Sequence, residues 1–285
     1  RGTVAISSTS TEHDMRERHA LRFSRESQEV AAIRVHGYEP AQWNLDGWSA
    51  LFHAGFHVNH ALPLRRQLAT SVASTRALVE HMSRTADPRM VLLSSSSVGS
   101  KFEPLSEQTL EAVPGPYSQA KYVQEEYALL LRQAGGSVLR LRLPLVYGHR
   151  AGERHFLDDD VFASIVRTCR TIGQVPWFEG RVPLLDVETV VDHSFLSLVE
   201  QPESEDTILV DETVRPDEIA AALGLEPSCV VAPREWLERA DRDPNLNPAM
   251  AKQLGPWLSA PGWDQDFATG KNVLRRLVES LSGHA

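Results

Sequence analysis

Val91-Leu92-Leu93-Ser94-Ser95-Ser96-Ser97-Val98-Gly99, followed after a loop by Pro116-Tyr117-Ser118-Gln119-Ala120-Lys121, decides the fold. An apolar run that ends abruptly in hydroxyls reads as a buried parallel strand whose C-terminal end opens into a site. The stretch from Pro116 to Glu126 reads as a helix, and a spacing of four places the phenol of Tyr117 and the ammonium of Lys121 on one face of it. A neighbouring cation favours the phenolate, so Lys121 is expected to lower the pKa of Tyr117. With a strand-end serine hydroxyl beside it, the pair makes a proton donor poised against a substrate carbonyl oxygen. Tyr-x-x-x-Lys alone arises by chance on helix surfaces. Here it gains weight from its place in a β-loop-α-β series that ends in the apolar strand Val138 to Gly148.

Working outward, Thr3–Ile6 and Glu29–Val35 read as strands separated by a charged helix from about Glu12 to Phe23. Trp48–Gly55 is a third apolar segment, and Pro63 to Met82 has helical periodicity. Beyond Gly148 come helices near Val161–Ile172 and Val187–Val199, a strand at Asp206–Val210, and short helices at Pro216–Leu223, Arg234–Ala240 and Asp264–Ser282. Strands alternating with helices imply an α/β fold with a Rossmann-like, doubly wound parallel sheet. Residues 1–148 form its core. Residues 149–285 supply the remaining core elements and a smaller mixed C-terminal substrate subdomain.

The net charge of −9 argues against nucleic acid as a partner, since phosphate neutralisation needs clustered Lys and Arg. Two cysteines in unrelated contexts, Cys169 and Cys229, suit a reducing, cytoplasmic setting and offer no disulfide framework. No apolar run approaches membrane-spanning length. The chain opens on Arg1-Gly2-Thr3 without an initiator Met, and is expected to be a piece of a longer polypeptide or a processed one.

The serine-rich strand end, Tyr117 and Lys121 resemble the Ser/Thr-Tyr-Lys triad of the extended short-chain dehydrogenase/reductase superfamily. Ser95 is the matching serine, three residues before Val98, with Ser96 as the alternative. His53-Ala54-Gly55-Phe56-His57-Val58-Asn59-His60-Ala61-Leu62-Pro63 is similar to a segment of one branch, the thioester reductase domains that terminate nonribosomal peptide synthetases, polyketide synthases and carboxylic acid reductases. Val58, Asn59, Pro63, Val72 and Thr75 match its pattern, and Pro233–Leu237 looks like its late substrate-domain helix. The resemblance implies a domain that uses NADPH to release an acyl thioester from the phosphopantetheine arm of a carrier protein as an aldehyde or alcohol. Tyr117 would bond the developing oxyanion, Ser95 would share that bond, and Lys121 would hold the nicotinamide ribose. His53, Ala54, Gly55, Tyr117, Lys121, Pro144, Leu145 and Val146 would border the cofactor.

Departures from the branch cluster on the cofactor side. The opening strand aligns with the family's second strand, so the first βα unit, which carries the glycine-rich phosphate turn, is missing. Ser7 and Ser8 stand where an Arg meets the 2′-phosphate, Gly37-Tyr38-Glu39 replaces Gly-Asp-Leu, and Ser71 replaces the Asn that supports the active-site lysine. A redox-neutral release domain of the Dieckmann-cyclising kind is therefore the alternative, and a non-catalytic docking module the second. No metal site is expected: His53, His57 and His60 read as strand-end and loop residues, and Asp158-Asp159-Asp160 as helix-capping acids. Cys169 reads as core, Asp186 as structural, and Trp177 and Phe178 as packing against the sheet. Arg65 and Arg66 suit either phosphate or solvent.

Overall fold

The computed structural model describes residues 3–7, 32–36, 50–54, 62–147, 161–199, 204–243, 268–269, 274 and 278. In chain order the strands begin with β1 (Thr3–Ser7), β2 (Ala32–His36) and β3 (Ala50–His53). Then comes a helical run made of α1 (Leu64–Gln67), a π turn (Leu68–Val72) and α2 (Ala73–Met82). β4 (Arg89–Ser95), α3 (Glu107–Ala112), α4 (Gly115–Gln133), β5 (Ser137–Leu143) and β6 (Leu145–Tyr147) follow. The remainder comprises α5 (Val161–Ile172), β7 (Val175–Pro176), β8 (Val182–Asp186), α6 (Val187–Val199), β9 (Glu205–Ile208), β10 (Glu212–Val214), α7 (Pro216–Ala222), β11 (Val230–Val231), α8 (Pro233–Arg242) and β12 (Ala268–Thr269).

Strands β3, β4, β5 and β9 form a parallel sheet in the order β3-β4-β5-β9, while β1 and β2 pair in parallel with each other. In β4, Met90, Val91 and Leu92 are all buried, with no alternation, as expected of a strand covered on both faces. Helix α4 lies against β4 and β5, burying Ser118, Ala120, Lys121, Tyr122, Gln124, Glu125, Ala128 and Leu131 at helical spacing. It ends on Gly135 at φ 94, and Gly136 lets the chain turn tightly into β5: a Cβ there would stand 3.0 Å from the Leu131 side chain and 3.1 Å from Pro88.

A second sheet, in the order β12-β10-β8-β6, joins β6 and β8 in parallel and β8 and β10 antiparallel. Against it packs an apolar cluster that includes Phe162, Ile165, Val166, Cys169, Val182, Leu184 and Trp236. Burial pushes the Cys169 thiol well above its ordinary value, in keeping with a core residue. Asp186 caps α6, its carboxylate accepting the Glu188 amide at 2.8 Å.

Several sequence expectations are corrected here. The single helix over Pro63–Met82 contains the π turn at Leu68–Val72. The strand to Gly148 breaks at Pro144 into β5 and β6, which belong to different sheets, because proline supplies no N–H to a ladder. Ala268–Thr269 is strand, not helix. Trp177 is 53% exposed rather than packed, whereas Phe178 is buried. The charged helix at 12–23, Gly37-Tyr38-Glu39, Gly55, His57, His60 and Asp158–Asp160 lie outside the described residues.

Candidate functional site

The C-terminal end of β4 and the first half of α4 meet through hydroxyls and one amine. Ser95 closes β4 and caps the short 3-10 turn Ser96–Val98, its Oγ accepting the Ser97 amide at 3.3 Å. The Ser95 and Ser97 hydroxyls lie 2.8 Å apart, and Ser118 Oγ donates to Ser97 Oγ at 2.7 Å. A chain of three hydroxyls thus ties the strand end to the neighbour of Tyr117. Ser96, the alternative serine, lies in the turn itself. One turn further along α4, Lys121 Nζ donates to the Leu93 carbonyl at 2.8 Å, two residues before Ser95. Ser95 and Lys121 are therefore held at the end of β4, and Tyr117 lies on α4 beside Ser118 and one turn before Lys121.

Burial sets the acidities there, and not in the direction that spacing predicts. Tyr117 is half-buried, and desolvation raises its phenol above the ordinary value; Lys121 does not lower it. The group is consequently a protonated donor throughout the neutral range. Lys121, 4% exposed, is pulled down to about 7 by burial, against an upward pull from Glu125.

His53 closes β3 with its ring turned into the interior, where Nε2 lies 2.8 Å from Thr75 Oγ1 and 2.9 Å from the Gln124 amide nitrogen. Gln124 also donates to Thr75 Oγ1 at 2.7 Å, and Thr75 donates to the Ser71 carbonyl at 3.1 Å. Desolvation, then the Lys121 charge, lowers His53 to about 3, so the imidazole is neutral. Ala54 is exposed just after β3, while Pro144, Leu145 and Val146 are half-buried where β5 gives way to β6. Arg65 and Arg66 are exposed on α1.

What the sequence reading missed is ionic. β5 reads as apolar, yet Arg140 and Arg142 are both buried in it. Arg142 forks onto Glu125 of α4 at 2.9 and 2.7 Å, and its other nitrogen donates to the carbonyls of Gly99 at 2.8 Å and Lys101 at 2.6 Å. The Phe102 ring lies 4.1 Å from its guanidinium. Glu125 also accepts from Ser94 Oγ at 2.5 Å. Arg140 pairs with Asp206 of β9; burial acts to raise that carboxyl, but Arg140 and then Arg132 outweigh it and hold it near about 2. The signal available in sequence was a Glu on the same helical face as Tyr117 and Lys121, together with two arginines at alternate positions of a buried strand.

Comparison with known proteins adds the family. Residues 49–208 match the NAD dependent epimerase/dehydratase family. The chain belongs to that family. Over 266 residues it is 35% identical to the non-ribosomal peptide synthetase CmlP of Streptomyces venezuelae, a match covering 86% of this chain and 27% of that protein. The chain thus spans about a quarter of its curated relative (27%). Among solved structures, the terminal R domain of the myxalamid PKS-NRPS pathway superposes with a TM-score of 0.70 at 20% identity, covering 98% of this chain and 77% of that one. A thiolation-reductase di-domain from an archaeal non-ribosomal peptide synthetase gives a TM-score of 0.70 at 14% identity, covering 100% and 70%. At these identities the structural likeness speaks for the fold, a Rossmann-like α/β sheet. No helix among the described residues is long and apolar enough to cross a membrane, and no cluster of His, Cys, Asp or Glu among them is placed to hold a metal.

Proposed function

We propose that this domain releases an acyl or peptidyl thioester from the phosphopantetheine arm of a carrier protein, by reduction with NADPH. The reading is supported by the ties between the end of β4 and α4, through the Ser95, Ser97 and Ser118 hydroxyls and the Lys121–Leu93 bond, with Tyr117 next to Ser118 in sequence, in a chain 35% identical to a stretch of a non-ribosomal peptide synthetase. A phenol, an ammonium and an alcohol are a donor set that fits a nicotinamide ribose beside a carbonyl oxygen, and Pro144, Leu145 and Val146, half-buried where β5 gives way to β6, would border the nicotinamide. NADPH, when bound, supplies the hydride to the thioester carbonyl carbon. Tyr117, protonated because it is desolvated, hydrogen-bonds the oxyanion that develops, and Ser95 shares the bond. Lys121 would hold the ribose hydroxyls of the bound cofactor. The carbon–sulfur bond then breaks, the arm leaves as its thiol, and an aldehyde is released.

A redox-neutral second reading is favoured by Ser7 and Ser71, which stand where related reductases carry an Arg and an Asn. Ser71 is fully buried, its carbonyl accepting the Ser74 and Thr75 hydroxyls. NADPH fluorescence titration of the full polypeptide separates the two: binding in the micromolar range supports reduction, and no binding removes it. Incubation with an acyl-pantetheine thioester and mass spectrometry of the product then tells aldehyde from cyclised acid derivative. Tyr117→Phe is expected to slow either reaction by about 10²–10⁴-fold. A Phe variant as active as the parent would remove Tyr117 from the chemistry.

A further inference from the structure

We propose that Glu125, clamped by Arg142 and Ser94, is a positioning residue: it is the buried counter-charge that keeps Lys121 in its ammonium form at the end of β4. The role assigned to Lys121 rests on the functional reading above, but the coupling between Glu125 and Lys121 does not. Glu125 follows Lys121 by one turn on the inward face of α4, and the two are 0% and 4% exposed. Consecutive residues of β4 receive them, the Leu93 carbonyl taking the ammonium at 2.8 Å and Ser94 Oγ meeting the carboxylate at 2.5 Å. Helix and strand are therefore fixed in register by one cation and one anion.

Glu125 does not simply neutralise Arg142. The carboxylate meets Ser94 Oγ and the Arg142 fork and lies 3.5 Å from Arg140 Nη1, and Arg142 is held besides by two main-chain carbonyls and the Phe102 ring. Around Lys121 stand His53 of β3, which feels the Lys121 charge, and Glu125 of α4, with Tyr117 one turn earlier on the same helix and the arginines of β5 paired with Glu125. His53 is neutral and opposes a positive neighbour, and Tyr117 is protonated. Glu125 supplies the negative charge. Burial alone disfavours the ammonium, and Glu125 acts against that pull.

The test is an NMR titration of 13C-labelled lysine side chains, following Lys121 in the whole protein with no substrate present. In the parent the Lys121 midpoint is expected at about 7. Glu125→Gln is expected to lower it by about one unit or more, the size of a nearby opposite charge. Because that change strands a buried guanidinium, the double variant Glu125→Gln/Arg142→Met serves where the single one does not fold, and it should lower the midpoint by a smaller amount. Ser94→Ala keeps the carboxylate, and its midpoint should stay with the parent. An unmoved midpoint in the glutamine variants, or a Ser94→Ala shift as large as theirs, overturns the proposal. Loss of thioester turnover in the parent with the shift intact would instead discard only the functional reading.

Discussion

The two interiors of this protein differ in what accompanies their hydrocarbon. Under the β3-β4-β5-β9 sheet the buried set includes His53, Gln67, Ser71, Thr75, Lys121, Gln124, Glu125, Arg140 and Arg142. Around Trp236 the buried set is mostly hydrocarbon, with Phe162, Ile165, Val166, Leu184 and Ile219 packed together and Cys169 behaving as one more apolar group. Buried ions cost desolvation energy that their mutual attraction only partly offsets, whereas buried hydrocarbon stabilises with no such debit. The comparison teaches that the sheet holding Tyr117 and Lys121 adds to its own apolar clusters a set of buried ions that fix geometry, whereas the region around Trp236 is held mostly by apolar burial.

The comparison breaks or holds first at Trp236. Its ring is fully buried and its Nε1 donates to the Gln174 carbonyl at 3.0 Å. Trp236→Ala should destabilise the protein by about 3–5 kcal/mol in urea unfolding. A loss below about 1 kcal/mol, the range of an ordinary substitution, would mean that the apolar cluster is not where the stability lies.

Arg142 sharpens the other side. Removing one partner of a buried ion pair leaves the other uncompensated, so Arg142→Met should cost about 3–5 kcal/mol. Glu125 then keeps only the longer 3.5 Å pair with Arg140, so adding Glu125→Gln removes a poorly compensated carboxylate and the double variant should regain part of that loss. Additive losses in the double variant would show that the pair is a net source of stability rather than a device for register.

Much of the sheet region was legible in sequence. An apolar run ending in four serines, and Tyr117 and Lys121 one helical turn apart, locate β4 and α4 because side-chain periodicity follows directly from backbone geometry. The amphipathic helices α5, α6, α7 and α8 were legible for the same reason. The buried ions were not: Arg142 finds Glu125 across 17 residues of chain, and nothing local to either announces the pairing. The π turn at Leu68–Val72 adds a residue to a helix without changing its composition. The acidity of Tyr117 escaped because spacing tells which charge is near, whereas desolvation depends on everything packed above the helix. The short strands β8 and β10 pair across sequence, and Pro183 inside β8 speaks against a strand.

The mildest expected effect comes from His53, and it tests whether the polar interior is tuned for neutral pH. Unfolded, this imidazole takes a proton near 6.5; folded, burial and the Lys121 charge delay protonation to about 3. Between those values the unfolded chain binds the proton that the folded one refuses. Stability is thus undiminished above pH 6.5 and falls as pH drops from 6.5 towards 3, by at most about 1.4 kcal/mol per unit for this one group. His53→Gln removes the titration, so urea midpoints taken at pH 4.5 and 6.5 should lie closer together in the variant than in the parent. Protonation also leaves both ring nitrogens as donors, with Nε2 facing the Gln124 amide nitrogen 2.9 Å away, so the same proton that destabilises the fold pushes on the helix carrying Lys121. Equal acid sensitivity in variant and parent would place the proton elsewhere and leave His53 a packing residue.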